Sequence, residues 1–338
     1  MGLTIELSPC SEDGLAARKA FNQRLEAMTN SQIQWHQCRS PQEYRDKRRE
    51  GTDGFQKPFV LDTAEVISIP STHAGHQIQL RLIKPAGEIQ GVILHYHGGG
   101  LVYGSADGQD KYLLEFATDL SLAVASVEYR LAPEEPFPAA GEDALDALRF
   151  ALSEEGKAKL GQKPLFIAGE SSGAYLVAWS LLTLRDEGID LREQITAVFL
   201  SYGIYDLTYT PSVHNYKGRA LVGSEDLKLL VDAAFPAASY PETARKDPNL
   251  SPLRADLKNL PPAFFLVGTA DPALDDSIFM ASRWYLEGNQ VQLKVIPEGC
   301  HAFTLLPMGD AGAEGRAELK SSIKSFLAQL DSRKLERS

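Results

Sequence analysis

A serine becomes a nucleophile when its hydroxyl is held within reach of a base and opposite donors that can receive an oxyanion. Ser171 is the candidate. It lies in Gly169-Glu170-Ser171-Ser172-Gly173, after the apolar run 165–168 and before a run of helical character at 174–184. The order strand, sharp turn, helix holds such a serine in a strained conformation with its hydroxyl above the carboxyl edge of a sheet. Glycines at 169 and 173 let strand and helix approach without Cβ atoms between them. The helix start adds unpaired N–H groups and partial positive charge, which suit an anionic intermediate.

A base, an orienting acid and oxyanion donors must then come from elsewhere. The chain has seven histidines: His36, His73, His76, His95, His97, His214 and His301. His301 follows the apolar run 291–296 in a loop spanning 297–303, at the sheet edge that Ser171 occupies if both strands are parallel. Asp271 lies in the loop that directly follows the apolar run 263–267. Asp275 and Asp276 read instead as the N-cap and first turn of the next helix. For the donors there is His97-Gly98-Gly99-Gly100, after a strand ending at Tyr96. Three consecutive glycines are costly to order, and a loop whose N–H groups approach a substrate oxygen supplies a reason. His97 is read as a brace for that loop. His95 and His97 share the spacing of a metal pair, but no third ligand accompanies them, so no metal is expected.

These residues need a scaffold, and the hydrophobic pattern describes one. Residues 66–69 and 77–83 alternate as an antiparallel pair. Continuous apolar runs at 91–96, 123–127, 165–168, 197–200, 263–267 and 291–296 suit strands covered on both faces. Helical stretches at 111–119, 141–152, 174–184, 276–287 and 313–330 alternate with them. The pattern predicts an α/β fold: a mostly parallel, doubly wound sheet of eight strands with helices on both faces. Residues 1–50 read as helical, with Asp13 as N-cap, an apolar stripe of Ala17, Phe21, Leu25 and Met28, and a second helix over 41–50 opened by Pro41. Between two strands, residues 203–252 form an insertion longer than a connection requires, with a helix from Ser224 to Phe235. The chain thus divides into an N-terminal helical cap segment (1–55), a catalytic core (56–202 and 253–338) and a cap insertion (203–252). Tyr205 and Tyr209 of the insertion, with Tyr175, are the candidates for lining a substrate pocket.

Bulk properties narrow the partners. The 338 residues are 43% hydrophobic and 23% charged, the balance of a globular protein with a large core. A net charge of −11 argues against nucleic acid or an anionic membrane as the main partner. Cys10, Cys38 and Cys300 form neither a disulfide framework nor a metal-ligand pattern. No signal peptide, membrane span or lipidation signal is read, and the final residues are no peroxisomal signal, so a cytoplasmic protein is expected.

Taken together, the chain resembles the hormone-sensitive-lipase-like esterases of the α/β-hydrolase superfamily over roughly residues 60–330. The likeness rests on Tyr96-His97-Gly98-Gly99-Gly100, Tyr129-Arg130-Leu131-Ala132-Pro133-Glu134, Pro136-Phe137-Pro138-Ala139-Ala140 with Asp143, and the serine motif. Leu250-Ser251-Pro252-Leu253, Leu260-Pro261-Pro262-Ala263, Asp271-Pro272 and His301-Ala302-Phe303 complete it. The resemblance implies Ser171 as nucleophile, His301 as general base and acid, and Asp271 as its orienting partner. It also implies an oxyanion hole from the N–H groups of Gly99, Gly100 and Ser172, with Gly98 shaping the loop. The substrate would be a small-molecule ester of short to medium acyl or aryl type, no cofactor would be needed, and a homodimer is admitted. Acyl transfer, thioester cleavage or cyclisation, and a non-catalytic receptor on the same fold, are the alternatives. The chain departs from the family in Glu170-Ser171-Ser172, where Asp-Ser-Ala is usual, and in Ala174-Tyr175 after the motif.

Overall fold

The computed structural model describes residues 4–161, 165–306 and 309–335; the final residues 336–338 considered above lie outside it. Nine strands form one sheet: β1 (Thr4–Leu7), β2 (Glu65–Pro70), β3 (Gln77–Ile83), β4 (Gly91–Tyr96), β5 (Leu122–Glu128), β6 (Leu165–Glu170), β7 (Ala197–Ser201), β8 (Ala263–Ala270) and β9 (Val291–Cys300). Their order is β1-β9-β8-β7-β6-β4-β5-β3-β2. β2 and β3 are antiparallel to their neighbours and all other pairings are parallel. Every residue of β4 is buried, as its unbroken apolar run demands of a strand sandwiched between helical layers.

Side chains alternate across the sheet and assign the layers. Ile93 and His95 of β4 face Leu113 and Phe116 of helix Asp110–Leu120, with Leu319 and Ile323 of helix Asp310–Leu335. Tyr96 faces the other way, its hydroxyl donating to the Ala144 carbonyl of helix Ala139–Leu152. That helix packs against Ser172–Asp186, which follows the serine turn.

The expectation of eight strands is corrected to nine. Residues 1–50 are not helical throughout: β1 joins the sheet edge, pairing Ile5 with Leu293 and Leu7 with Val295. Four residues carry no readable period, and only the partner strand makes them a strand. The following helix, Glu12–Ser31, is capped by Ser11, whose Oγ accepts from the Gly14 N–H at 3.1 Å, and not by Asp13. Its inward face also differs. Ala17 is exposed while Arg18, Leu25 and Thr29 are buried. Helix Pro41–Glu50 runs as expected, with Gly51 at φ 72° closing it.

Between β7 and β8 the insertion carries helices Pro211–Asn215, Ser224–Ala234 and Glu242–Arg245. Gly223 holds the N-cap position of the middle helix, and its N–H donates to Asp226 at 2.8 Å. The far end of that helix is tied to the core by an aromatic cluster. Phe137 packs against Phe235, Tyr175 and Trp179.

Candidate active site

At the end of β6 the chain turns so sharply that Ser171 takes φ 54°, ψ −119°. The Ser171 N–H donates to the Ser201 carbonyl at the end of β7, 2.9 Å away, and pins the turn from beside. The flanking glycines have no room for anything larger. A Cβ at Gly169 would lie 2.4 Å from the Gly173 carbonyl carbon, and one at Gly173 would lie 1.9 Å from the Tyr96 oxygen.

His301 directly follows β9, which runs through to Cys300 where a loop from Pro297 was expected. A register irregularity between Gly268 and Ala270 allows this, so that Ala270 pairs with Cys300. Such bulges bend a strand and re-aim its side chains. Here the bulge brings the imidazole back over the serine, with Nε2 2.8 Å from the Ser171 Oγ. On its other side Nδ1 lies 2.9 and 3.1 Å from the Asp271 carboxylate oxygens. Both contacts are satisfied when Nδ1–H donates to Asp271 and Nε2 accepts from the serine hydroxyl. Asp271 is itself held by the Ala273 N–H at 2.7 Å. All three side chains are buried. Asp275 and Asp276 turn elsewhere: Asp275 accepts from Ser212, and Asp276 from the N–H groups of Tyr205 and Asp206 and the Thr210 hydroxyl. Burial pushes the Asp276 carboxyl up to about 7, against those donors. Burial, then the Asp271 charge, pushes the neighbouring Cys300 thiol up to about 12.

The glycine loop lies beside the turn. A Cβ on Gly98 would meet the Glu170 oxygen at 3.0 Å, so the loop rests on the elbow itself. Gly99, at φ 122°, has the Tyr103 oxygen 1.9 Å from where a Cβ would stand. Its carbonyl accepts from Val102 and Tyr103, which fixes the loop. Among the described residues no acceptor takes the N–H of Gly99 or Gly100. The Ser172 N–H opens helix Ser172–Asp186 and has no partner within its own helix. His97 is fully buried beneath the loop, stacked on Tyr129 at 4.1 Å, with Nδ1 2.8 Å from the Gly98 carbonyl. The Tyr129 hydroxyl donates to the His97 carbonyl at 2.6 Å. Burial lowers the His97 imidazole to about 4, so it is neutral at pH 7.

A profile of the alpha/beta hydrolase fold matches residues 93–305. The chain belongs to that family. A curated ethyl acetate hydrolase from Pseudomonas putida is 32% identical to this hydrolase over 244 residues, 69% of this chain and 73% of the relative. Among solved structures, a hyperthermophilic esterase from the archaeon Pyrobaculum calidifontis superposes with a TM-score of 0.77 at 27% identity, covering 94% of this chain and 99% of its own. A thermostable carboxylesterase cloned from a metagenomic library gives 0.71 at 30% identity, over 85% and 98%. The likeness to hormone-sensitive-lipase-like esterases read from the motifs therefore holds.

Not every residue singled out from sequence lies at this centre of the hydrolase. The Tyr175 hydroxyl donates to the Leu250 carbonyl, and its ring belongs to the aromatic cluster under the insertion. Tyr205 is fully buried with its ring against Phe265 of β8, and Tyr209 packs edge-on to His214. His95 and His97 point to different partners, and among the described residues no group of three His, Cys, Asp or Glu is arranged to hold a metal.

Other residues act on the site without a readable motif. Arg18 spans three partners: its guanidinium donates to the Pro297 carbonyl, Asp310 and Glu314 at 2.9, 3.0 and 2.6 Å. Asn22 donates to the Glu298 carbonyl at 2.9 Å, so two residues of one helix grip the strand end that carries His301. Arg45 does the same for the glycine loop, donating to the Val102 and Ala132 carbonyls at 2.8 Å each. Leu230 of the insertion covers Gly100, where a Cβ would lie 2.7 Å from it.

Proposed function

We propose that this alpha/beta hydrolase cleaves small-molecule carboxylic esters through an acyl-enzyme on Ser171. The observation that carries the reading is the unbroken row from the Ser171 Oγ to His301, 2.8 Å, and from His301 to Asp271, 2.9 Å. As the serine oxygen attacks the ester carbonyl, Nε2 of His301 takes its proton, and Asp271 stabilises the imidazolium and fixes its tautomer. The carbonyl oxygen becomes an oxyanion that the N–H groups of Gly99, Gly100 and Ser172 receive. His301 returns the proton to the leaving alcohol. Water then attacks the acyl-enzyme with the same histidine as base, releasing the acid and restoring the serine.

The relative that hydrolyses ethyl acetate supports a small ester, as does the buried setting of Ser171, 9% exposed. We assign the helices of residues 12–50 and the insertion 203–252 as the cap, since Leu230, Arg45 and Arg18 reach the glycine loop and the histidine strand end. Among the described residues no helix is long and apolar enough to cross a membrane. Three unpaired cysteines suit a reducing compartment, and we assign the chain to the cytoplasm. The test is Ser171→Ala assayed on p-nitrophenyl acetate. Turnover should fall to the background of a heat-inactivated sample, and a variant as active as the wild type refutes the assignment.

A further inference from the structure

Asp271 stands on a short loop between β8, which ends at Ala270, and helix Leu274–Leu286. Within the loop the Ala273 N–H holds its carboxylate, and the Leu274 N–H reaches its carbonyl at 3.2 Å. Pro272 has no N–H to offer. The two carbonyls that flank Asp271 are taken by hydroxyls of the insertion. The Ala270 carbonyl accepts from the Tyr216 phenol and the Pro272 carbonyl from the Ser212 Oγ, each at 2.7 Å. Burial, then the Asp271 charge, raises the Tyr216 phenol above its ordinary value, so it keeps its proton and donates.

The same stretch of the insertion grips the residues that follow. The Ser212 N–H donates to the Asp275 carboxylate at 2.7 Å, and the Asp275 N–H donates back to the Ser212 Oγ at 3.1 Å. The Asp276 carboxylate accepts from the N–H groups of Tyr205 and Asp206 at 2.6 and 3.0 Å, and from the Thr210 hydroxyl at 2.7 Å. Between these bonds Ala273 is fully buried, packed with Ile204, Val213 and Leu227 in an apolar cluster of its own. Residues 270–276 are thus built into residues 204–216 by polar and apolar contacts together. A satisfied network of this kind rigidifies the segment it holds. Tethering an insertion to a core takes far less: at Phe137 a single bond suffices, from the Tyr240 phenol to the carbonyl at 2.9 Å.

We infer that Ser212 and Tyr216 are positioning residues for Asp271. By fixing the carbonyls before and after it they aim its carboxylate at Nδ1 of His301, so docking of the insertion completes the triad. The inference rests on the esterase reading, and the experiment separates the two. Ser212→Ala and Tyr216→Phe, singly and together, are made in the wild type and in Asp271→Asn. kcat and KM for p-nitrophenyl acetate are measured at equal concentrations of folded protein. A carboxylate that is misplaced while binding stays intact should lower kcat by about fivefold in each single variant and about twentyfold in the pair. KM should stay within about twofold. In Asp271→Asn the carboxylate is already gone, so the same changes should cost less than about twofold further. Loosening of the cap in general would lower kcat in both backgrounds alike. Tyr240→Phe, which removes the bond to Phe137, is the control and should keep the wild-type kcat within about twofold. Unchanged kcat in the double variant overturns the inference, as does an equal loss in the Asp271→Asn background or in the control. A wild-type chain that neither hydrolyses the ester nor takes up an active-site fluorophosphonate overturns the esterase reading, and the inference with it.

Discussion

Protonating His97 should cost the fold most of what burying it neutral provides, and the size of the effect follows from its setting. The ring lies beneath the glycine loop, fully buried and stacked on Tyr129, and burial lowers its imidazole from 6.5 to about 4. The folded-state value lies below the unfolded one. The resulting stabilisation is therefore fully present above pH 6.5 and is lost as the pH falls towards 4. A separation of about 2.5 pH units at about 1.4 kcal/mol per unit corresponds to roughly 3 kcal/mol at the acid limit. Between pH 7 and pH 4.5 roughly 2 kcal/mol of it should disappear. The assay is urea unfolding of the wild type and His97→Asn at several pH values, comparing the difference in unfolding free energy so that other titrating groups cancel. The wild-type advantage should shrink as the solution becomes acidic. Parallel stability curves for the two proteins would refute the argument, because the asparagine cannot titrate.

Other perturbations reach the site by different routes. Asp271→Asn keeps the shape but no longer favours the productive tautomer of His301, so kcat for p-nitrophenyl acetate should fall by about 10⁴-fold. Gly99→Ala forces a Cβ against the Tyr103 oxygen at a φ that alanine disfavours. The displaced N–H should raise the barrier by about 3 kcal/mol, read as a loss of kcat with little change in labelling stoichiometry. Arg18→Ala strips the Pro297 carbonyl, Asp310 and Glu314 of a shared donor. The two carboxylates are partly exposed, so thermal unfolding should register a loss of about 2 kcal/mol, less than for a wholly buried pair. kcat should fall with KM held.

The scaffold was legible wherever a strand was covered on both faces, because β4 to β9 then read as unbroken apolar runs. Ser171, Asp271 and His301 could be found together because each follows such a run at the same sheet edge. Three glycines in succession drew attention to the loop at 98–100 for a reason of cost. What escaped was set by contacts between distant parts. β1 is a strand only because β9 offers an edge. The extension of β9 to Cys300 depends on a bulge opposite Gly268, which no apolar period reports. Arg18 faces inward, but a charged residue beside an apolar stripe counts as exterior in any pattern of hydrophobicity. Tyr205 and Tyr209 were singled out as aromatic residues of an insertion. Aromatics also fill cores, and Tyr205 lies in one.

The grip that the first helix exerts on the histidine strand end has a consequence for synthesis. β1 pairs with residues almost three hundred positions later, and Arg18 reaches Asp310 and Glu314. On a ribosome the sheet from β2 to β7 can gather long before those partners emerge, leaving β1 and Arg18 waiting for them. Ser171 would then be present on a nascent polypeptide that still lacks Asp271 and His301. Under the proposed function, reactivity is thereby deferred until His301 has been made, and a product released before that point would be inert.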